Sequence, residues 1–228
     1  FRRGKLVEQP TTLENMSKAV YSEESKRWRF VQTLDWTRSF GKHDLGALVG
    51  YEAIRNWGFN TDMAKQGAAD ASLTDLSTYT ELSNITGTTW ENTSRSFFGR
   101  LTYAYKSRYL FEVNARYDGS SRFAPESRWG FFPSFSGGWR VSEESFMQGS
   151  PFDNLKIRLS WGKLGNNSIG DYEWQATYSG SNYIFGDKLT SGLAQTVIAN
   201  QKLRWESVTQ TNIGLDFAIL NNRLVGEF

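Results

Sequence analysis

Tyr109-Leu110-Phe111-Glu112-Val113-Asn114-Ala115-Arg116-Tyr117-Asp118 places tyrosine, phenylalanine, valine, alanine and tyrosine at its odd positions, and glutamate, asparagine, arginine and aspartate with a single leucine at its even ones. Successive strand side chains point to opposite faces, whereas a helix needs apolar residues three and four apart, so this period of two marks a strand with one apolar and one polar face. The pattern continues downstream. Over 129–141 the odd set Trp129, Phe131, Pro133, Phe135, Gly137, Trp139 and Val141 faces Gly130, Phe132, Ser134, Ser136, Gly138 and Arg140. Over 155–162, Leu155, Ile157, Leu159 and Trp161 alternate with Lys156, Arg158, Ser160 and Gly162.

Register gives an independent test, because a slip of one residue would move a whole apolar set to the wrong face. A three-residue turn at Lys106, Ser107 and Arg108 sets Tyr105 opposite Tyr109, Tyr103 opposite Phe111, Leu101 opposite Val113 and Phe97 opposite Tyr117. A four-residue turn at 219–222 pairs Phe217 with Leu224, Leu215 with Gly226 and Ile213 with Phe228. One at 41–44 pairs Phe40 with Leu45 and Trp36 with Val49. All three keep apolar residues on one face.

The predicted strands are 25–40, 44–56, 93–105, 109–119, 129–141, 155–164, 203–218 and 223–228. Connections 41–43, 106–108, 142–154 and 219–222 are short or moderate, while 57–92, 120–128 and 165–202 are mostly long and polar. This asymmetry belongs to outer-membrane barrels, which have short periplasmic turns and longer extracellular loops. Aromatic residues gather near the strand ends as a candidate interfacial belt: Trp28, Trp36, Tyr103, Tyr105, Tyr109, Trp129, Trp139, Trp161 and Trp205. Their rings suit a boundary that is apolar on one side and wet on the other. A soluble or surface β-sandwich that binds carbohydrate through exposed aromatics is the alternative.

Composition agrees with a folded chain. Its 228 residues are 39% hydrophobic, with 9 Trp, 10 Tyr and 16 Phe. Twenty-six basic against 24 acidic residues give a net charge of +2, which supplies no bulk attraction for nucleic acid. There is no Cys, hence no disulfide, thiolate metal site or thiol nucleophile. The mean hydropathy of −0.53 and the lack of an 18-residue apolar run exclude a transmembrane helix, not a barrel that hides its lipid face at alternate positions. The polar opening Phe1-Arg2-Arg3-Gly4-Lys5 has no secretory leader, the first 24 residues resemble the remainder of a long loop, and the last strand is short. These features suggest an internal stretch of a larger barrel; a small closed barrel ending on Phe228 is the other option.

Catalytic chemistry finds little support. The only His is His43, read as a solvated turn residue, so no triad or multi-histidine metal site is expected, and no cofactor is called for. Gly162-Lys163-Leu164-Gly165 lacks phosphate-loop spacing. Ser142, Glu143 and Glu144 read as the capped first turn of a short helix, and 68–82 has weak helical character. Lys26-Arg27-Trp28-Arg29-Phe30 reads as one two-faced strand rather than a nucleic-acid stacking strip.

An ordered series of motifs resembles the barrel of SusC/RagA-like TonB-dependent outer-membrane transporters. It comprises Ser96-Phe97-Phe98-Gly99-Arg100-Leu101-Thr102-Tyr103 with Tyr109-Leu110, then Arg116-Tyr117-Asp118-Gly119-Ser120-Ser121-Arg122-Phe123, then Trp129-Gly130-Phe131-Phe132-Pro133-Ser134-Phe135-Ser136-Gly137-Gly138-Trp139-Arg140. Leu155-Lys156-Ile157-Arg158-Leu159-Ser160-Trp161-Gly162 through Gly165-Asn166, and Leu203-Arg204-Trp205-Glu206 through Asn212-Ile213-Gly214-Leu215-Asp216, complete it. Residues 94–228 are similar throughout, and 1–93 mainly in pattern. The resemblance implies an all-β fold: about eight antiparallel strands of a plugged transmembrane barrel of about 22, with 1–228 part of one barrel domain and the plug lying elsewhere. It also implies the outer membrane of a Gram-negative bacterium, import of oligosaccharides or peptides, a SusD-like surface lipoprotein as lid, and energy from the TonB complex.

On this reading the polar face looks inward, through Arg100, Thr102, Glu112, Asn114, Arg116, Asp118, Ser134, Ser136, Arg140, Lys156, Arg158, Ser160, Arg204, Glu206, Asn212 and Asp216. Candidate cargo or lid contacts in the long loops are Trp57, Phe59, Trp90, Arg122, Phe123, Asn166, Asn167, Tyr172, Trp174, Tyr178 and Tyr183, because rings beside amides and charges suit sugar faces and hydroxyl edges.

Overall fold

The computed structural model describes residues 16–68, 70 and 72–228. Ten strands occur among them: β1 Ser17–Phe40, β2 His43–Ala68, β3 Tyr79–Tyr105, β4 Tyr109–Ser120, β5 Trp129–Arg140, β6 Phe152–Asn166, β7 Thr177–Phe185, β8 Lys188–Val197, β9 Glu206–Ile219 and β10 Leu224–Glu227. Eight form one antiparallel sheet in the order β1-β2-β3-β4-β5-β6-β9-β10, and β7-β8 is a separate ribbon. The large sheet is open, with β1 and β10 at its edges, so the small closed barrel does not form.

The chain divides into two compact units, one of 1–27 and 56–91, the other of 28–55 and 92–228. In the first, Gly67 takes a left-handed φ of +74° where β2 ends, its N–H donating to the Met16 carbonyl at 3.0 Å and its carbonyl accepting from Thr80 Oγ1. Gln66 Nε2 donates to Glu81 at 3.2 Å. The predicted long loop 57–92 is therefore mostly strand. Only 69–78 connects β2 to β3, with the single turn Leu76–Thr78 in place of the helical stretch expected over 68–82. Residues 17–24 likewise belong to β1 rather than to a loop; the rest of that expectation, 1–15, lies outside the described residues.

In the second unit the register around Lys106-Ser107-Arg108 agrees with expectation pair for pair, from Tyr105 opposite Tyr109 to Phe97 opposite Tyr117. The turn at the other end of the sheet is one residue later than expected. Leu220, Asn221 and Asn222 all take left-handed backbone and Ile219 stays in the strand, so Phe217 faces Gly226 and Leu215 bonds to Phe228. The shift is by two residues across the pair, and parity is kept. The turn at 41–44 shortens to Gly41 and Lys42, with Gly41 at φ +60° and Ser39 Oγ donating to Asp44 at 2.5 Å.

Because odd residues face odd residues across β3, β4, β5, β6 and β9, their apolar sets merge into one surface. That surface is uncovered: Leu101 is 62% exposed and Ile213 78%. A sandwich would bury it against a second sheet, so the sandwich alternative fails. A barrel instead presents such a face to hydrocarbon.

Two aromatic rows border this face. One runs Trp28, Phe30, Tyr51, Phe97, Trp129 and Tyr117, each ring 4.8–6.4 Å from the next. The other, at the short turns, runs through Tyr103, His43, Tyr105, Tyr109 and Trp139 at 4.8–6.5 Å. On β4 the rows stand eight residues apart, about 20 Å of membrane depth once a strand tilt of roughly 40° is allowed for, near the height of a barrel's apolar band. Three expected belt members lie outside these rows, the first being Trp36, exposed on β1. Trp161 stacks on Phe135 in mid-strand at 4.6 Å, and Trp205 turns to the opposite face, where its ring meets Phe123 and Phe132.

Candidate lumen wall and loop cluster

Even positions of β2 to β6 and β9, with odd positions of β1 and β10, build the polar face. Arg29 of β1 donates to Glu52 of β2 at 2.5 Å; Arg116 of β4 stands 3.8 Å from the same carboxylate and 3.1 Å from Asp118. The Arg116 guanidinium also lies 5.3 Å from the Phe98 ring centroid. Phe98 breaks parity, yet its ring lies on the Gly50 backbone: a Cβ there would come within 2.3 Å of it. Glycine on the neighbouring strand thus makes room for a ring on the wet face.

Along the same face Asn114 donates to Glu112 at 2.8 Å and Asn212 to Ser160 at 3.4 Å. Arg158 binds Asp216 at 2.6 Å and also Glu227. Arg100 pairs with Asn114 across β3 and β4, and is exposed. A cavity of about 680 Å³ opens on this face, lined in part by Thr102, Glu112, Ser136, Lys156, Arg158 and Ser160. Arg140 ends β5 and reaches the Ser107 carbonyl at 3.4 Å, at the short-turn end.

At the long-loop end a second cluster joins three segments distant in sequence. Asp171 accepts from Arg122 Nε at 2.9 Å and from Asn92 Nδ2 at 3.0 Å. Arg122 also reaches the Asn167 carbonyl, and Asn167 Nδ2 donates to Ser120 Oγ, both at 3.4 Å. Below this network Phe123 is 0% exposed, wedged against Trp205, whose indole N–H donates to the Arg128 carbonyl at 2.9 Å. Phe132 completes the wedge, lying on Gly130 and Gly165.

The expected contact residues therefore separate by role. Phe123 is a packing ring with no surface to offer a ligand, and Arg122 and Asn167 are engaged in the cluster. Asn166 donates to Glu206 at 3.0 Å and accepts from the Ser168 N–H. Trp57 and Phe59 lie on β2 and Trp90 on β3, in strands rather than a loop, with the Trp90 ring over Gly58. Trp174 is half-buried, and its indole N–H is enclosed without a partner among the described residues. Phe59, Tyr172, Tyr178 and Tyr183 remain exposed. Tyr178 and Tyr183 sit on opposite faces of the β7-β8 ribbon, since they differ by five positions in a regular ladder.

Three residues that the sequence did not single out, or misplaced, hold these regions. Asp171 is the acceptor of the loop cluster, with partners 49 and 79 residues away, so no local signal marks it. Phe132 was visible only as an aromatic exception to its strand's parity. Glu144 is no part of a capped helix: the segment is two single turns without a side-chain cap. Its carboxylate instead accepts from Tyr109 Oη and Arg108 at 2.6 Å each and from Trp139 Nε1 at 3.0 Å. Those bonds, from the tyrosine first and the indole next, with Arg108 adding to them against burial, hold the carboxyl below the usual carboxylate range. His43 is exposed, as expected, but as the first residue of β2 rather than in the turn, with Nδ1 2.9 Å from Tyr103 Oη.

Comparison with known proteins returns this arrangement. The family model described as TonB dependent receptor-like, beta-barrel matches residues 6–227. The TonB-dependent receptor SusC of Bacteroides thetaiotaomicron is 37% identical over 199 residues, covering 85% of this chain and 19% of the relative. The TonB-dependent receptor P3 of Formosa agariphila is 34% identical over 194 residues, covering 84% of this chain and 19% of the relative. Among solved structures, the RagAB peptide transporter superposes with a TM-score of 0.80 at 31% identity, over 92% of this chain and 23% of that one. The chain spans about a fifth of the length of these curated relatives.

Proposed function

The chain belongs to the TonB-dependent receptor β-barrel family, a family of the Gram-negative outer membrane, and from that premise we propose that it forms part of the wall and extracellular loops of an active importer. The observation that carries this reading is the shared parity of β3 to β6 and β9, an uncovered apolar face backed by a charge-laced one across these register-locked strands. Unpaired cations at the midplane of a lipid-facing strand cost about 2–4 kcal/mol each, and Arg100, Arg116 and Arg158 all avoid that face.

In this proposal residues 1–228 are one stretch of a single barrel domain of about 22 strands, with the plug and remaining strands elsewhere in the parent protein. The cargo is an oligosaccharide or a peptide too large for a porin. A SusD-like lipoprotein closes the extracellular mouth, and the TonB complex supplies the energy. The rings of Tyr172, Tyr178 and Tyr183, with Phe59, keep exposed surface that cargo or lid could meet. Aromatic faces stack on sugar C–H faces and on peptide side chains alike, so they fit either cargo.

The test is removal of residues 177–197 from the full-length protein, co-expressed with its lipoprotein. Heat-modifiable migration should show an assembled barrel, because the ribbon pairs with no wall strand. Uptake of labelled oligosaccharide or peptide, or capture of the lipoprotein, should fall. Unchanged uptake and unchanged capture would refute the role given to this loop.

A further inference from the structure

The outward face at the short-turn end carries two cations, although the Arg38 position also borders the lumen cavity. Arg38 shares its parity with Trp28, Phe30, Leu34 and Trp36, and its guanidinium lies 5.1 Å from the Phe40 ring centroid. Thr37 beside it points the other way, toward the Gly46 position on the polar face. On the adjoining hairpin, Lys106 Nζ lies 5.3 Å from the Tyr105 ring. The two turns are tied, since the Lys106 N–H donates to the Lys42 carbonyl at 2.7 Å. On β2, the strand between β1 and β3, His43 is joined to Tyr103 through Nδ1 and Oη, and its ring lies 4.8 Å from Tyr105.

Neither cation has a carboxylate partner among the described residues. Nearest in sequence to Arg38, Asp35 lies on the other face of β1 and Asp44 accepts from Ser39, which also lies on that other face. Glu144 in the neighbouring turn is occupied by Tyr109, Arg108 and Trp139. An arginine that faces lipid must carry its charge to the interface, and here a ring holds it there.

We propose that Arg38 and Lys106, with the Tyr103–His43 pair, bind the phosphate of a lipid headgroup in the periplasmic leaflet. The inference rests on the membrane-barrel reading, which sets short turns on the periplasmic side. The guanidinium fork and the ammonium supply the charge and the donors that a phosphate requires, while Trp36 and Phe40 offer exposed apolar surface to the acyl chains. A free phosphate would gain only the first half of this, so the site selects a lipid over the bare ion.

The experiment is native mass spectrometry of the full-length protein in a neutral detergent, with dioleoylphosphatidylglycerol or phosphate-free dioleoylglycerol added in turn. Wild type should retain the phosphatidylglycerol, and Arg38→Gln/Lys106→Gln should retain it less by roughly fivefold per charge removed, about twenty-five-fold in all. Arg38→Lys/Lys106→Arg should keep most of the binding, and raising salt should weaken it. Millimolar inorganic phosphate should leave the lipid in place. Equal retention by the double Gln variant would overturn the site, as would parallel loss of dioleoylglycerol or displacement by inorganic phosphate. Heat-modifiable migration separates this from the premise: an assembled barrel that binds lipid regardless of Arg38 and Lys106 defeats the site alone, whereas a parent protein that does not insert at all defeats the barrel reading and the site with it.

Discussion

The wall strands β3 to β6 and the ribbon β7-β8 are built from the same regular antiparallel ladders, yet they treat side chains oppositely. In the wall, every strand puts its apolar set on odd positions, and the register sets odd against odd. In the ribbon, Tyr178, Ile184, Leu189 and Leu193 share a face with Asn182, Ser191 and Gln195, while Tyr183 and Phe185 share the other with Ser179, Ser181 and Lys188. All residues of both ribbon strands are exposed. Alternation within one segment therefore identifies a strand, and only agreement of parity across register-locked neighbours identifies a membrane wall.

The sharpest way to break this comparison is to place the same charge in both regions. Val113→Arg puts a cation on the apolar face in mid-strand, at a cost of about 2–4 kcal/mol, and should abolish assembly of the full-length protein as read by heat-modifiable migration. Leu193→Arg in the ribbon, where the side chain is 77% exposed, should stay within about 0.5 kcal/mol of wild type. Charge reversal at Arg116, on the opposite parity of the same strand as Val113, should leave the barrel assembled. Comparable loss for Val113→Arg and Arg116→Glu would sink the assignment of faces.

A smaller effect is expected where the wall meets the loops. A Cβ at Gly165 would come within 2.1 Å of the Phe132 ring, so Gly165→Val should destabilise by about 1–3 kcal/mol, with partial recovery on adding Phe132→Leu. Thermal unfolding of the two variants measures the coupling. Asp171→Asn weakens the charge-assisted bond from Arg122, worth about 1 kcal/mol for a half-buried pair, and should show first as faster proteolysis within 165–176. No change in the cleavage rate would remove the loop cluster from the account.

The smallest effect tests the short-turn end. Glu144 has its carboxyl held below the ordinary carboxylate range, so its stabilising bonds are fully present above that range and are lost as pH falls through the lowered value. Melting temperatures of wild type and Glu144→Gln should differ slightly at neutral pH and converge on acidification. A constant gap at all pH values would assign the effect to packing instead.

How far the sequence was legible follows from the range of each interaction. The hairpin register at Tyr105 and Tyr109 depends on a local turn and a period of two, both visible in 20 residues, and it was read correctly. The extent of β2 and β3 was not, because residues 57–68 and 79–92 are polar in both parities: Asn60, Asp62, Lys65, Gln66 and Glu81 offer no alternation to detect, and their pairing is backbone work. The loop cluster was half legible. Arg122 and Phe123 stood out by type, but Phe123 owes its burial to Trp205 and Phe132, far away in sequence, and nothing near Asp171 announces its partners. Belt residues followed the same rule: Tyr109 and Trp139 lie at strand ends beside short turns, whereas Trp161 reads as an end only if β6 stops at 164 rather than Asn166.

The central claim is that one parity of the wall faces lipid. This chain has no Cys, so single cysteines placed in turn at 110–118 of β4, in a cysteine-free parent protein, can carry a nitroxide label in reconstituted vesicles. Accessibility to oxygen, which partitions into hydrocarbon, is then compared with accessibility to a water-soluble nickel chelate. The account predicts a strict period of two, with oxygen favoured at 111, 113, 115 and 117 and disfavoured at 112, 114 and 116. A flat profile, or one with the parities exchanged, would contradict it.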